Sequence, residues 1–174
     1  MPNAVMLLGN HEYMMLQYLS HDATDIDRHR WNRNGNSPTL DAYFKLEAKE
    51  QQGILDYLKS LPTHLEIEAG SKRFYLVHGF PGENIHDEVW SRPELDTPNP
   101  MPGYQVVIGH TPVLNLIKPA EEQLEYAADL ERRGDHLKII HASGFINIDC
   151  GCGHGMPIKA LACIRLEDMV EYYK

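Results

Sequence analysis

The stretch Ala4-Val5-Met6-Leu7-Leu8-Gly9-Asn10-His11-Glu12 decides how the rest of the chain is read. Its five apolar residues read as a strand buried on both faces, which expects a strand neighbour on each side. Gly9 then makes a tight turn, and Asn10 and His11 follow as side chains able to bind a metal or carry a proton. Two later stretches repeat the design: Phe74-Tyr75-Leu76-Val77 runs into His78-Gly79, and Val106-Val107-Ile108 runs into Gly109-His110. Ligands of open α/β sheets gather beyond the carboxyl ends of strands. Three such ends, each delivering Asn or His, predict one site fed by three strands.

Composition narrows the function classes. The 174 residues fit a single domain over 1–174, with 43% hydrophobic and 24% charged residues. No apolar run reaches the ~20 residues that span a bilayer. The start Met1-Pro2-Asn3-Ala4 lacks the basic and apolar segments of a signal peptide. A cytoplasmic protein without membrane attachment is expected. The net charge of −9 argues against general nucleic-acid binding. A protein of this charge that handles phosphates must concentrate positive charge in metals and a few Arg residues. Cys150, Cys152 and Cys163 do not form a disulfide framework or a zinc knuckle. Cys150 and Cys152 read as small residues in a Gly-rich turn rather than as redox sensors.

Around the three expected strand ends, the chain reads as alternating helices and strands. Glu12 to about Ser20 is a predicted helix, with Glu12 in its first turn suiting the helix dipole. His21 to Pro38 reads as a polar loop, either a lip over a phosphate-bearing substrate or a solvated segment anchored by Trp31. Thr39 is the expected N-cap of a segment Leu40 to Leu61, two helices or one broken helix. Leu65, Ile67 and Ala69 alternate with Glu66 and Glu68, predicting a half-buried strand paired through Gly70-Ser71 with Arg73 to Val77. Glu83 to Trp90 reads as a short helix or turn, residues 93–103 as a Pro-rich connector, and Tyr104 to Ile108 as a strand. A surface helix is expected within Pro119 to Gly134. Leu137 to His141, Phe145 to Ile148 and Ile158 to Leu166 read as a three-stranded meander.

Asn10, His78 and His110 are neutral donors suited to Mn, Fe(II), Zn and similar ions. One His at a strand end is commonly a hydrogen-bonded structural residue; three donors at equivalent positions, each beside a Gly, point to a metal. His11, adjacent to Asn10 in a turn, points elsewhere, either to protonate a leaving oxygen or to cap and pack the helix. Arg92 follows Val89-Trp90 in a loop after His78, and Arg makes two-pronged contacts with phosphate oxygens. Asp149 at a strand end either orients a ligand His from behind or caps its turn.

In order, Gly9-Asn10-His11-Glu12, His78-Gly79, Trp90-Ser91-Arg92, Gly109-His110-Thr111-Pro112 and Ile148-Asp149-Cys150-Gly151 resemble the later motifs of calcineurin-like metallophosphoesterases. The closest likeness is to the bacterial and phage-type branch of the phosphoprotein (serine/threonine) phosphatase family, over about residues 4–166. The resemblance implies a four-layer αββα sandwich of two mixed α/β sheets. It also implies hydrolysis of phosphoserine and phosphothreonine monoesters through a hydroxide activated by two divalent ions, manganese first and iron or zinc as alternatives. Asn10, His78 and His110 would hold the second ion, and His11 would act as the general acid. Arg92 would grip the phosphate, with Glu12 and Asp149 as supporting carboxylates. Partners would be a phosphoprotein or a small phosphoester.

The departures matter as much. Neither Gly-Asp-x-His nor Gly-Asp-x-x-Asp-Arg-Gly, which open family members, occurs in the chain. Those motifs supply the first ion's ligands and the carboxylate bridging both ions. The chain therefore reads as a family member without its first strand–helix units, a natural truncation or an internal start, retaining ligands for one ion. Little activity and self-association through an exposed sheet edge are expected. Phe80 replaces a usual second Gly, and Pro112 stands where many wider relatives carry a further His; the Pro favours the protein-phosphatase branch. The competing readings are a symmetrical dinucleoside tetraphosphate hydrolase and a non-catalytic binding or oligomerising remnant.

Overall fold

The computed structural model describes residues 4–153 and 157–174; Met1 to Asn3, which entered the reading of the chain start, lie outside them. The chain divides into two compact units, the first ending at Thr63 and the second spanning His64–Lys174.

The first unit is helical. It holds α1 (Asn10–Tyr18), α2 (Asp25–Arg33), α3 (Ser37–Tyr43) and α4 (Ala48–Ser60). The strand expected over Ala4 to Leu8 does not form: no strand pairs with it among the described residues, and Val5 and Met6 are 61% and 43% exposed. A strand exists only through partners on its edges. Here the Leu8 amide donates instead to the Pro62 carbonyl at 2.8 Å. α2 occupies what composition marks as a loop. Its N-terminus carries a reciprocal cap, with the Asp27 amide donating to Thr24 Oγ1 (3.2 Å) and the Thr24 amide to Asp27 Oδ2 (2.9 Å). α2 buries one large residue, Trp31, so it shows no apolar stripe to betray it. The Tyr18 ring meets Trp31 edge-on at 5.3 Å. α3 begins before the expected cap Thr39, at Ser37, with Pro38 in its first turn. The break between α3 and α4 is closed by Gln51, whose side-chain amide donates to the Tyr43 and Leu46 carbonyls at 3.3 and 3.0 Å. Those bonds tie the first turns of α4 to the turn that follows α3.

Among the described residues, all the strands lie in the second unit. They are β1 (His64–Ala69), β2 (Lys72–Val77), β3 (Gln105–Ile108), β4 (Ile140–His141), β5 (Ile146–Asn147), β6 (Ala162–Arg165) and β7 (Val170–Tyr173). Helices α5 (Ile85–Trp90), α6 (Val113–Ile117) and α7 (Ala120–Arg132) connect them. A five-stranded mixed sheet runs β1-β2-β3-β5-β4, with β2, β3 and β5 parallel at its centre and antiparallel partners at both edges. The hairpin of β1 and β2 turns at Gly70, whose φ of +60 suits glycine.

Alternation along the central strands separates two cores. Phe74, Val107 and Ile146 join Val113, Leu114, Ala127 and Leu130 in one cluster. Their neighbours Tyr75, Val77, Val106, Ile108 and Phe145 join Phe80 in the other. β3 is buried on both faces, as parallel strands covered on each side are.

The meander expected at the C-terminal end differs. β4 shrinks to two residues because the amides of Leu137 and Ile139 go to the Ile158 carbonyl (2.9 Å) and the Tyr173 hydroxyl (3.0 Å). β6 pairs with β7 rather than β5, forming a separate two-stranded sheet. Gly151, with φ +74, turns the chain out of the main sheet after β5. Among the described residues, no helix is long and apolar enough to cross a membrane.

Candidate functional site

β2 and β3 are parallel neighbours, with Leu76 opposite Val107, so their carboxyl ends lie side by side. His78 and Gly109-His110 follow those ends directly. The Gly109 amide donates to the His78 carbonyl (3.0 Å), and the two imidazole centroids stand 5.0 Å apart. Two imidazoles sharing one divalent ion through ~2.1 Å bonds have centroids about 4.6–5.3 Å apart, so this pair fits a common ion in spacing and in donor chemistry. Among the described residues, no group of three or more His, Cys, Asp or Glu side chains is arranged to hold a metal.

Each imidazole is held by a constrained turn. The peptide after His78 passes under α5, with the Gly79 amide donating to the Glu88 carbonyl at 2.7 Å. A Cβ at Gly79 would lie 2.9 Å from that oxygen and 3.1 Å from the Trp90 amide nitrogen, so only glycine allows the approach. His110 has φ +61, and the Thr111 amide donates to the Gly109 carbonyl at 2.6 Å. That is a γ-turn centred on a non-glycine residue, a conformation costing about 1–3 kcal/mol that persists where surrounding bonds impose it.

The imposing bonds come from β5 and from the segment after α5. Asn147, 0% exposed, donates from Nδ2 to the Thr111 carbonyl (2.8 Å) and accepts the Asp149 amide on Oδ1 (2.9 Å). The Val113 amide donates to the Asp149 carbonyl (2.9 Å). Asp149 turns its carboxylate to the Gly151 amide (2.9 Å), the turn-capping alternative of its two expected roles. Arg92 Nη1 donates to Thr111 Oγ1 (3.1 Å) and to the His110 carbonyl (3.4 Å). The Trp90 ring meets His110 edge-on at 5.7 Å. Among the described residues, no carboxylate is paired with Arg92. Arg92 lines a cleft of about 650 Å³ together with Glu94, Asp96, Thr111, Asn115 and Leu116.

His78, His110 and Arg92 are thus gathered in the second unit, with Asp149 tied to the His110 turn through its main chain. Asn10, His11 and Glu12 stand in the first unit, at the start of α1. Asn10 is buried, while His11 is exposed and lines a cavity of about 470 Å³ with Met15, Trp31, Tyr43 and Leu58. Glu12 Oε2 accepts the Gly9 amide (3.1 Å), closing the first turn of its own helix. The third parallel strand end is supplied by β5 rather than by residues 4–8. Asn147 is the residue that sequence reasoning passed over. Its signal was a lone amide inside the apolar run Phe145-Ile146-Asn147-Ile148, where a buried polar group must find partners. Burial, reinforced by Asp149, pushes the Cys150 thiol up to about 12, so it is not a reactive thiolate.

The chain matches no family model and no curated protein sequence.

Proposed function

We propose that this chain is a metal-dependent phosphatase acting on phosphoserine and phosphothreonine, built on the four-layer sandwich its motifs resemble. The observation that carries the reading is the pair His78 and His110, whose ring centroids are 5.0 Å apart, with Arg92 bonded to the same turn and, among the described residues, without a carboxylate partner. An imidazole pair fit for a divalent cation beside an arginine free to meet an anion is a constellation for a phosphate monoester.

In this reading His78 and His110 would hold a divalent ion; Asn10, the further ligand that the resemblance implies, belongs to the first unit. When bound, the ions supply Lewis-acid activation of water and stabilise oxyanions. The other steps belong to the chain's own groups. Arg92 binds two phosphate oxygens and orients the ester for in-line attack. The resemblance gives His11, in the first unit, the part of general acid toward the departing serine or threonine oxygen. The γ-turn at His110 fixes that imidazole before substrate arrives.

His78, His110 and Asn10 are neutral, and the chain carries neither Gly-Asp-x-His nor Gly-Asp-x-x-Asp-Arg-Gly. Weak turnover by these 174 residues is therefore expected. Titration with manganese followed by p-nitrophenyl phosphate turnover tests the reading. Manganese binding should disappear in His78→Ala and His110→Ala, and turnover should rise when a preceding segment carrying both motifs is supplied. Unchanged manganese binding in both variants refutes it. Faster cleavage of diadenosine tetraphosphate than of a phosphopeptide would shift the assignment to dinucleotide hydrolysis.

A further inference from the structure

Glu88 is a charged side chain that the proposed chemistry does not use. It lies in α5 at 6% exposure, and a carboxylate so deeply buried is costly unless it is paired and hydrogen-bonded. Its Oε1 takes the Tyr75 hydroxyl at 2.5 Å and stands 2.9 Å from His64 Nδ1. The His64 ring stacks on Tyr75 at 4.7 Å, with 19° between the planes. One carboxylate oxygen therefore ties α5 to both β1 and β2. Burial and the bond to Glu88 raise the Tyr75 pKa far above its usual value, so the hydroxyl stays a donor at any ordinary pH.

The main chain of the same residue acts on the candidate site. The Glu88 carbonyl accepts the Gly79 amide at 2.7 Å and so holds the peptide after His78. Two residues on, Trp90 meets His110 edge-on at 5.7 Å, and beyond it Arg92 bonds Thr111 at 3.1 Å. A shift of α5 would thus reach His78 through Gly79 and His110 through Trp90 and Arg92. An apolar residue at position 88 could pack against Tyr75 without desolvating a charge, but it would not fix the direction of the helix as two bonds from different strands do.

We propose that Glu88 is a positioning residue whose bonds to Tyr75 and His64 set the seat of α5, holding Trp90 and Arg92 against the His110 turn and thereby setting phosphate affinity. The phosphate part rests on the proposed phosphatase reading; the positioning part does not.

The test compares the full chain with Glu88→Gln, Tyr75→Phe and a control, Ile164→Ala, which trims a residue packed against the other core cluster. Two properties are read: the nuclear magnetic resonances of the Trp90 indole and the His78 and His110 imidazoles, and the affinity for inorganic phosphate in the presence of manganese. Glu88→Gln and Tyr75→Phe are expected to move all three sets of resonances and to weaken phosphate binding about tenfold, the scale of one misaligned charge-assisted bond. Ile164→Ala should lower the melting temperature while leaving both properties at the wild-type value. Tyr75→Phe retains the ring and the His64–Glu88 pair, so it carries the test if Glu88→Gln does not fold. Resonances unchanged in folded Glu88→Gln or Tyr75→Phe overturn the proposal, as does an equal shift in Ile164→Ala. Shifted resonances with no phosphate binding by the wild-type chain would sink the phosphatase reading and leave the positioning role standing.

Discussion

Replacing Gly79 by Ala should be among the more damaging single-methyl changes in the molecule. The added Cβ would sit 2.9 Å from the Glu88 carbonyl oxygen and 3.1 Å from both the Trp90 nitrogen and the Val89 carbonyl carbon. All three are backbone atoms of α5, so no rotamer change relieves the clash. α5 must retreat, which breaks the 2.7 Å bond from the Gly79 amide to Glu88. Overpacking costs about 1–3 kcal/mol and the lost buried bond about 1 kcal/mol more, for a total of roughly 2–4 kcal/mol. At about 2–4 °C per kcal/mol for a chain of this size, melting should fall by roughly 5–15 °C. Urea unfolding measures the effect directly, as a lower midpoint at constant slope. The same substitution at Gly53, inside α4 with nothing within 4 Å of the added methyl, should stabilise by about 0.5–1 kcal/mol. A loss below about 0.5 kcal/mol at Gly79 would refute the argument that α5 presses on the peptide after His78.

Other outcomes follow from the same geometry. Asn147→Ala leaves the Thr111 carbonyl and the Asp149 amide without their side-chain partner and should cost about 2–4 kcal/mol in urea unfolding. Its effect on manganese affinity reports how far Asn147 imposes the His110 turn. Burial opposes ionisation of Glu171, but bonds from Tyr173 and His141 outweigh it and hold the carboxyl below the usual 4.5. A depressed carboxyl stabilises the fold above its unfolded value and loses that contribution as pH falls through the folded one. Stability should therefore decline below about pH 4.5 less steeply in Glu171→Gln than in the wild type, as thermal melts across that range would show. Cys152 and Cys163 are exposed and Cys150 is buried. Two thiols should react promptly with an aromatic disulfide reagent and the third only on unfolding; three prompt thiols would contradict the buried position of Cys150.

The parts of the fold legible in the sequence are those whose pattern is local. Leu65, Ile67 and Ala69 alternating with glutamates marked β1, and the all-apolar Val106-Val107-Ile108 marked a covered central strand. His78 and His110 stood out in the sequence as histidines beside a Gly at the ends of apolar runs, and Arg92 as an arginine after the Val89-Trp90 pair; the structure brings the three to neighbouring turns. α2 was not legible, since a helix anchored by Trp31 alone has no periodicity to read. Asn147 was hidden because its significance lies in the Thr111 carbonyl, far away in the chain. β7 was missed because a four-residue strand at the end of a charged segment has little signal apart from its partner β6.

Residues 4–8 mark the boundary between the two kinds of information. Their apolar composition is a strand's, and nothing local forbids one. A strand is defined by the hydrogen bonds of its neighbours, however, and among the described residues the Leu8 amide goes to the Pro62 carbonyl instead of to a strand. The sequence by itself determined which side chains could do chemistry, because Asn, His and Arg carry that capacity wherever they lie. Tertiary structure decided which of them share a site, because the parallel register of β2, β3 and β5 sets His78, His110 and the Asn147 staple side by side.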